Sequence, residues 1–357
     1  MKKRIIAVVL AVVLILSLAT TLAGCNQGSK KDLVGLFMPT KEQPIWAAYG
    51  KRLEEGFKEA GYDVILEFAE DVVERQISQI ENAITKGAKY IVIAAVDSFA
   101  LSDVCKKAKD AGAIVLSCDR LLMNTENVDY YITFDMVRMG ELQGEAIVEA
   151  LDLKSGKGPF NLEIFSGSPD DNNCVPFYEG FMNVIKPYLD NGQLVVKSGQ
   201  IDLSITATLK WDSALAQARM DNILGAYYTD DKVDAVHCMA DCLALGVISS
   251  LTSFGYGRGD LKFPVVTGQD SELTAIKHII EGKQTMTVFL DPKVLTERML
   301  YVVDKIEKKE KLTPDTTYNN GVFDVPTILY DPVLINKDNY TLLVDYGFYT
   351  KEELGLE

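Results

Sequence analysis

Short apolar runs alternate with amphipathic segments from Leu33 onward. The runs read LVGLFM, DVILEFA, YIVIAAV and AIVLSC, and segments with a helical spacing of apolar residues lie between them. Strands that alternate with helices are typical of a parallel sheet with crossover helices. In the segment 71–86, for example, Val73, Ile77 and Ile80 fall on one stripe. This spacing predicts a surface helix that covers a sheet.

The same alternation restarts after YYITFD (residues 130–135), which predicts a second α/β unit. Its predicted helices span 136–151, 176–189, 212–224, 242–254 and 271–281, and its predicted strands span 160–165, 194–196, 233–238 and 263–267. A further helix (293–308) and a strand-like run, VPTILYDPVLI, come after these elements. The chain is therefore predicted to form two α/β lobes.

In the simplest arrangement that includes these last elements, the chain crosses between the lobes three times, near Phe134, Leu290 and Ile328. Three crossings of this kind would act as a hinge. The predicted fold is α/β, with two doubly wound parallel-sheet lobes joined by a three-segment hinge. The predicted N-terminal lobe comprises 33–133 and 290–326, and the predicted C-terminal lobe comprises 134–289 and 327–357.

The first residues have the pattern of an export signal. Three basic residues, Lys2 to Arg4, precede an apolar stretch from Ile5 to Leu18, which is shorter than a spanning helix normally needs. The sequence LAGC then ends at Cys25 and resembles a bacterial lipobox. This resemblance implies cleavage after residue 24, lipidation of Cys25, and a tether over 25–32. The expected location is the outer face of the cytoplasmic membrane or the periplasm; an uncleaved membrane anchor is the alternative.

The charge of the chain narrows the choice of partners. The sequence has 36 basic and 51 acidic residues, and removal of the three basic residues in 1–24 leaves 33 against 51, a net charge of −18. Such a surface repels phosphate backbones and anionic lipid headgroups. It argues against nucleic acid as a partner, leaves membrane attachment to the acyl chains, and favours a neutral or cationic ligand.

The cysteines do not indicate a disulfide framework. Once the lipobox residue is set aside, an odd number remains, and a chain of this length can build its cores without disulfides. The six cysteines are Cys25, Cys105, Cys118, Cys174, Cys238 and Cys242.

Polar residues follow nearly every predicted strand. Ligands of open parallel sheets bind beyond the carboxyl ends of the strands, where loops and helix N-termini meet. These positions hold Asp97, Asp119 with Arg120, the run Asp170-Asp171-Asn172-Asn173, Asp241, and Gln269 with Asp270. We therefore expect a polar ligand site at this edge.

Helix capping is the alternative interpretation of these residues. Asp97 and Asp241 precede predicted helices and could cap them, and for Asp241 a cap and a ligand contact remain equally open. Capping does not explain Asp119 and Arg120, because the next residues, LLMNTENVD, begin no obvious helix. It also does not require four polar residues over 170–173. A cleft that binds several hydroxyl groups accounts for the polar residues that capping does not explain.

The two tryptophans support the same interpretation. Trp46 and Trp211 fall one in each predicted lobe, where a loop enters a helix. Core packing is the usual fate of Trp. Two flat apolar faces at a cleft also suit a pyranose or pentose ring. Hydrogen bonds to charged groups contribute roughly 1.5–3 kcal/mol each, so an affinity around micromolar is reasonable.

Several stretches resemble a known family. The stretches are MPTK (38–41), QISQIENAITKG (76–87), GSPDDNN (167–173), LVVKSGQ (194–200), AQARMDNIL (216–224), AYYTDDKVDAV (226–236) and GQD (268–270). In them the chain resembles the sugar-binding receptors of bacterial ABC importers, in the cluster of the multiple-sugar receptor and the D-xylose-binding protein. The resemblance implies a type I periplasmic binding protein fold, a monomer that binds one pentose or hexose, an ABC permease and ATPase as partners, and no cofactor.

The resemblance also implies which side chains contact the sugar. Six positions match sugar contacts of the family: Asp119, Arg120, Asp171, Asn173, Trp211 and Asp270. Trp46 matches an aromatic residue at the cleft. Asp97 and Asp241, which follow predicted strands, are further candidate ligand contacts. No catalytic residue and no metal ligand are predicted.

Three positions depart from the family pattern. Ile45, Ala240 and Leu290 stand where relatives tend to carry polar or basic residues. Each change removes a polar partner for the ligand. The sequence therefore suggests a sugar other than xylose or glucose, one that lacks a hydroxyl group or bears an apolar substituent.

Two motifs invite other chemistry. HCMADC places His237, Cys238, Asp241 and Cys242 within six residues, but strand alternation sends His237 and Cys238 to opposite faces, which disfavours a metal site. FGYGRGD (254–260) follows a predicted helix and not a strand, so a glycine-rich surface turn is favoured over a phosphate-binding loop.

The sequence also admits functional classes other than a transport receptor. A lipid-anchored glycoside hydrolase would need two opposed carboxylates, for which Asp171 and Asp270 are candidates. The acidic residues are spread one per loop beside Arg or Asn, and no acid with a raised pKa is expected. A sugar sensor that signals to a membrane kinase is not separated from import by the sequence. Repressors of this fold carry a DNA-binding headpiece where this chain has its export signal.

Overall fold

A computed structural model describes residues 32–356. The predicted signal peptide, the lipidation site Cys25 and nearly all of the tether lie outside the described residues. Within 32–356, none of the helices has both the length and the apolar composition that a membrane span requires.

The described chain alternates strands and helices nearly as the sequence predicts. The strands are β1 Leu33–Met38, β2 Asp63–Phe68, β3 Tyr90–Ile93, β4 Ile114–Cys118, β5 Tyr130–Phe134, β6 Phe160–Phe165, β7 Leu194–Val195, β8 Ala235–Cys238, β9 Val265–Val266, β10 Met286–Phe289, β11 Thr316–Asn319, β12 Asp324–Tyr330 and β13 Val333–Asn336. The helices are α1 Pro44–Glu59, α2 Val73–Thr85, α3 Ser102–Asp110, α4 Met136–Ala150, α5 Cys174–Asp190, α6 Leu203–Thr206, α7 Ser213–Tyr227, α8 Asp241–Ser253, α9 Leu273–Glu281, α10 Pro292–Glu307 and α11 Leu342–Asp345.

The first lobe is built on a seven-stranded sheet in the order β11-β12-β5-β4-β3-β1-β2. All neighbouring pairs are parallel except β11 with β12. Apolar side chains of α1 and α10 pack on one face of this sheet, and those of α2 and α3 pack on the other. The prediction of a doubly wound lobe is confirmed.

The second lobe is built on a parallel sheet in the order β7-β6-β8-β9. The antiparallel pair β10–β13 extends it, because Thr285 N donates to Val266 O (2.9 Å) and Val288 N donates to Gly268 O (3.1 Å). On one face α4 and α5 pack closely. A Cβ atom on Gly180 would lie 2.0 Å from the carbonyl oxygen of Val137, so this contact requires glycine.

The chain crosses between the lobes after β5, after β10 and after β12. The third crossing differs from the prediction near Ile328. Residues Thr327–Tyr330 pair with Tyr131–Phe134 in the first sheet, so 327–330 belong to the N-terminal lobe and the chain leaves it only at Asp331 and Pro332. Proline has no N–H for the ladder, which ends the strand there. The single predicted run is therefore two strands, one in each lobe.

Residue Gln76 shows how a helix positions the edge of the sheet. Its helix, α2, begins two residues later and ends one residue earlier than predicted. Gln76 is fully buried, its Nε2 donates to Ala94 O (2.9 Å), and its Oε1 accepts from Val96 N (2.9 Å). These bonds fix the loop that follows β3. Apolar periodicity could not identify a buried polar residue of this kind.

The two motifs that invite other chemistry both lie within the described residues. Among the described residues, no group of three or more His, Cys, Asp or Glu side chains could hold a metal ion. His237 is buried and stacks on Phe181, with ring centroids 3.6 Å apart. Residues 254–260 form a turn after α8. The five described cysteines are free thiols.

Burial makes His237 a source of acid instability. Burial lowers its pKa from 6.5 to about 3, so between these values the unfolded chain holds a proton that the folded chain rejects. Each pH unit in this window costs about 1.4 kcal/mol of stability as the pH falls. We expect His237→Phe, which keeps the stack on Phe181, to reduce the loss of stability between pH 7 and pH 5 by about 2 kcal/mol, measured by urea unfolding.

The control is the half-buried histidine on α9, His278. His278→Gln should change the pH dependence less than His237→Phe does. If His237→Phe keeps the wild-type dependence on pH, His237 accepts a proton in the folded chain and our interpretation fails.

Candidate functional site

A cavity lies between the lobes at the carboxyl ends of their parallel strands. It encloses about 470 Å³, part of which is open to solvent. The lining residues are Gln43, Ile45, Trp46, Asp119, Arg120, Met136, Asp171, Asn173, Phe177, Trp211, Ala240, Cys242, Gln269 and Asp270.

Seven of the nine predicted ligand contacts line this cavity. They lie in the loops after β4, β6 and β9, in the first turn of α1 and in the turn before α7. Strands of the two facing sheets end at the same cleft, which brings together residues that are far apart in the sequence. The seven are Trp46, Asp119, Arg120, Asp171, Asn173, Trp211 and Asp270.

Arg120 is held in one position by contacts on every side. Its Nε lies 2.9 Å from Asp171 Oδ2 of the other lobe. Its Nη1 donates to the carbonyl oxygens of Ala95 (3.0 Å) and Val96 (3.3 Å), in the loop that Gln76 fixes. Its guanidinium carbon lies 5.0 Å from the centroid of the Trp46 ring. A charge fixed in this way loses little entropy when it binds a ligand.

The side chain of Asn173 mainly forms hydrogen bonds between the two lobes. Its Nδ2 donates to Asp119 O (2.9 Å) and, at 3.3 Å, to Asp119 Oδ1. Its Oδ1 accepts from the hydroxyl of Tyr131 (2.9 Å). The amide is therefore largely occupied by groups of the N-terminal lobe. Sequence reasoning missed Tyr131, because it stands inside an apolar strand with no polar neighbour that marks it.

Carboxylates outnumber cations in the cavity lining. Asp119, Asp171 and Asp270 face a single guanidinium, that of Arg120. Burial, reinforced by the nearby charge of Asp171, raises the pKa of Asp119 to about 8. Burial likewise raises the pKa of Asp270 to about 6, and it also raises the pKa of Asp171. The expectation that no acid here has a raised pKa is wrong, because closure removes water from all three carboxyl groups.

Left-handed backbone conformations concentrate at the cavity. The φ angles are 62° at Asp119, 95° at Asp270, 57° at Trp211 and 56° at Lys210. Non-glycine residues seldom adopt positive φ, and such strain is typical of functional sites. The fold thus enforces the direction of these side chains against local preference.

The tryptophans combine core packing with a place at the cavity. Trp46 is 4% exposed, packs edge-on against Tyr49, and donates from Nε1 to Gln43 Oε1 (3.0 Å). Trp211 lies against Gly167, where a Cβ atom would be 2.1 Å from its ring. Each tryptophan therefore both packs against core residues and lines the cavity.

Asp241, a predicted ligand contact, does not line the cavity. Its Oδ1 accepts from Gln284 Nε2 (2.7 Å), and its Oδ2 accepts from Thr287 Oγ1 (2.9 Å) and Glu272 N (3.0 Å). The carboxylate is 2% exposed and braces the loop before α9 against β10. It points into its own lobe because donors there satisfy both oxygens.

Asp97 also stays outside the cavity. Its Oδ1 accepts from the backbone N of Phe99 (2.7 Å), which is a local turn contact. It lines an adjoining opening together with Asp71, Asp170 and Lys210, and this opening shares Gln43, Arg120 and Trp211 with the cavity. Asp97 also does not cap the next helix, because that helix begins at Ser102 and its N-cap residue is Leu101.

Part of the cavity wall is apolar. Ile45 and Ala240, two of the departures from the family pattern, both line it beside Met136 and Phe177. Leu290, the third departure, is 1% exposed and does not line it. No spacing in the sequence indicated Met136 or Phe177, because both belong to the apolar stripes of α4 and α5.

The sequence matches the family described as periplasmic binding protein domain over residues 34–311. It is 49% identical over 327 residues to the multiple sugar-binding periplasmic receptor ChvE of Rhizobium radiobacter, which covers 91% of this chain and 92% of that protein. It is 34% identical to the D-xylose-binding periplasmic protein of Escherichia coli (strain K12), with 96% of this chain and 98% of that protein covered.

Solved structures agree with the sequence matches. An ABC transporter solute binding protein from Clostridium phytofermentans, with bound β-D-glucose, is similar at a TM-score of 0.86 and 45% identity, over 90% of this chain and 100% of that chain. A carbohydrate transporter solute binding protein from Chloroflexus aurantiacus, in complex with D-glucose, is similar at a TM-score of 0.81 and 29% identity, over 90% of this chain and 98% of that chain. The resemblance read from the sequence is confirmed, and this chain belongs to the periplasmic binding protein family.

Proposed function

We propose that this chain binds one monosaccharide in the interlobe cavity and delivers it to an ABC importer, a membrane permease with its ATPase. One observation carries the proposal: three carboxyl groups, one guanidinium and two indole rings, supplied by both lobes, line one cavity. The relatives that cover nearly the whole chain are named as sugar receptors, which supports the same function.

In the proposed complex, the carboxyl groups of Asp119, Asp171 and Asp270 accept hydrogen bonds from sugar hydroxyls, and Arg120 donates to a ring or hydroxyl oxygen. The rings of Trp46 and Trp211 contact the apolar faces of the sugar. Charged hydrogen bonds of roughly 1.5–3 kcal/mol each can then offset the cost of immobilising the ligand. The apolar wall at Ile45 and Ala240 supports a sugar that lacks a hydroxyl or carries a methyl group at that side.

The proposal extends to location and excludes catalysis. We infer from the LAGC sequence that the mature chain begins at a lipidated Cys25, which the mass of its N-terminal peptide would test. We also infer that no bond of the sugar is cleaved, because the relatives are receptors and the cavity acids lie beside Arg120 or amide groups.

The experiment that tests the function is calorimetry of the purified protein against D-glucose, D-xylose, L-arabinose and 6-deoxy-D-galactose. We expect one site per chain, a dissociation constant in the micromolar range or below, and the tightest binding by the deoxy sugar. Absence of binding by any monosaccharide contradicts the proposal. Tighter binding of glucose or xylose contradicts the role of the apolar wall, and cleavage of an aryl glycoside contradicts the exclusion of catalysis.

Removal of one partner of the interlobe ion pair should weaken binding strongly. Asp171→Asn leaves the buried guanidinium of Arg120 without its carboxylate, a change that typically costs about 3–5 kcal/mol. We expect sugar affinity to fall by at least about 100-fold, measured by calorimetry. Asp97→Asn, outside the cavity, is the matched control and should stay within about threefold of wild type. Equal losses of sugar affinity in Asp171→Asn and Asp97→Asn would contradict the assignment of Asp171 to the sugar site.

Sugar affinity should decrease as the pH rises from 6 to 8. Burial between the lobes raises the pKa of Asp119 from 3.8 to about 8 and that of Asp270 to about 6. We infer that separation of the lobes exposes both groups to water and lowers these pKa values, so the closed form that holds the sugar binds more protons in this range. A state that binds more protons is favoured at lower pH, by up to tenfold per pH unit for each group. Calorimetry in buffers of different ionisation enthalpy should detect proton uptake, and Asp119→Asn should lose most of it. An affinity that is constant over this range contradicts the prediction.

A further inference from the structure

The cationic charge of Arg120 does not balance the acidic groups of the sugar cavity. Among the described residues that line the cavity, Arg120 has the one basic side chain. Its Nε lies 2.9 Å from Asp171 Oδ2, and its Nη1 donates to two backbone carbonyl oxygens. Asp119 and Asp270 also line the cavity, and neither forms an ion pair with a described residue. Two carboxyl groups of the lining therefore have no cationic partner within it.

These two carboxyl groups reach the cavity from different lobes. Asp119 directly follows β4 in the N-terminal lobe, and Asp270 lies in the loop after β9 in the C-terminal lobe. Asp119 is 8% exposed, and the charge of Asp270 contributes to its raised pKa. The two groups are therefore close enough to repel each other when both are ionised. A positive charge on the ligand would remove this repulsion and favour closure of the lobes.

The hydrogen bonds of Gln269 show an excess of acceptors beside Asp270. Gln269 lines the cavity, and its Nε2 donates to Asp270 Oδ1 (3.0 Å). Its Oε1 is buried and has no hydrogen-bond partner among the described residues. A buried acceptor without a donor costs free energy. An ammonium group has three N–H donors and no acceptor, whereas a hydroxyl group has one donor. This part of the lining therefore suits an ammonium group better than a hydroxyl group.

The remaining lining suits a sugar ring and not a flexible polyamine. The flat indole rings of Trp46 and Trp211 line the same cavity and match the apolar face of a pyranose. The guanidinium of Arg120 has donors for the ring and hydroxyl oxygens of a sugar, and a polyamine has no such oxygens. The cation that fits this cavity is therefore one carried by a monosaccharide.

We propose that the cavity prefers an amino sugar, a monosaccharide in which a protonated amine replaces one hydroxyl group, with the ammonium group bound by Asp119, Asp270 and Gln269 Oε1. The ammonium group supplies the positive charge that the lining lacks, and it donates to acceptors of both lobes. The acidic excess of the whole sequence favours the same kind of ligand. This inference rests on the proposed function and names the substrate class of the same site.

Matched sugars test the preference on the wild-type protein. Calorimetry at pH 7 compares D-glucose with its 2-amino-2-deoxy, 3-amino-3-deoxy and 6-amino-6-deoxy derivatives, each of which differs from glucose in one group. We expect at least one derivative to bind at least about tenfold more tightly than D-glucose, because its ammonium group forms charge-assisted hydrogen bonds. N-acetyl-D-glucosamine, in which the amine is a neutral amide, should not show this gain.

The two kinds of sugar should also differ in their dependence on pH. A neutral sugar leaves Asp119 with a pKa of about 8, so closure takes up a proton, whereas an ammonium group keeps this carboxyl group ionised. From pH 6 to pH 7 the affinity for D-glucose should fall by up to about tenfold for each such group. The affinity for the preferred amino sugar should stay constant, and calorimetry in buffers of different ionisation enthalpy should show no proton uptake with it.

The groups around Asp119 do not change this expectation. Among them Arg120 is the one cation, and it is paired with Asp171. Burial raises the pKa of the nearby tyrosines and of the nearby thiol, so these groups stay neutral between pH 6 and pH 7. The titratable and charged groups around Asp119 are Tyr49, Cys118, Arg120, Tyr131, Asp171, Asp270 and Tyr330.

Two variants test whether the preference comes from the cavity lining. Asp119→Asn and Asp270→Asn each remove one carboxyl group, and each should reduce the ratio of amino sugar affinity to D-glucose affinity by at least about tenfold. Glu42→Gln is the matched control, because Glu42 is exposed and lies in the groove at the mouth of the cavity. It should leave the ratio within about twofold of wild type. Thermal unfolding of the purified variants checks that they fold.

Several results would overturn the proposal. They are equal or weaker binding of all three amino derivatives relative to D-glucose, an equal gain by N-acetyl-D-glucosamine, and tighter binding of putrescine than of any amino sugar. A ratio that Glu42→Gln lowers as much as Asp119→Asn would also overturn it, because the preference would then come from the general negative field. A protein that binds none of the sugars, neutral or amino, refutes the proposed function instead.

Discussion

The buried ion pair between Arg120 and Asp171 is the interaction on which the closed arrangement of the lobes depends. Its two members come from different lobes, and each is about 5% exposed. Removal of both charges from water costs several kcal/mol for each ion. The carbonyl oxygens of Ala95 and Val96 accept from Nη1 of the guanidinium, which offsets part of this cost. The free energies of the closed and open forms therefore differ by a small amount that remains from large opposing contributions. A bound sugar can shift this difference.

Polar side chains in the cleft divide into two groups with different tasks. One group, with Asp119 and Asp270, faces the cavity with carboxyl groups whose pKa values burial raises. The other group, with Gln76, Asn173 and Asp241, bonds to backbone and side chains and fixes the loops that present the first group. The second group stabilises the strained backbone of the first. Rigid loops reduce the entropy that a ligand must overcome on binding.

The edge of the site and most of its residues follow from local patterns. Alternating apolar and helical segments predict the parallel sheets, and the rule for parallel strands places Asp119, Arg120 and Asp171 at one edge. The same rule assigned Asp97 and Asp241 to the ligand, because a residue at a strand end can turn either toward the cleft or into its own lobe. The choice depends on donors distant in sequence, such as Gln284 and Thr287 for Asp241.

The sequence by itself determined the fold class, the two lobes, the strand edge at which a ligand binds, and the excess of negative charge. Only the tertiary structure decided that Asn173 pairs with Tyr131 and Asp119, that the third crossing falls after Tyr330, and that Asp119 has a raised pKa. The physical reason is that periodicity and strand-end position are local properties. Burial, charge proximity and hydrogen-bond partners depend on how the two lobes meet.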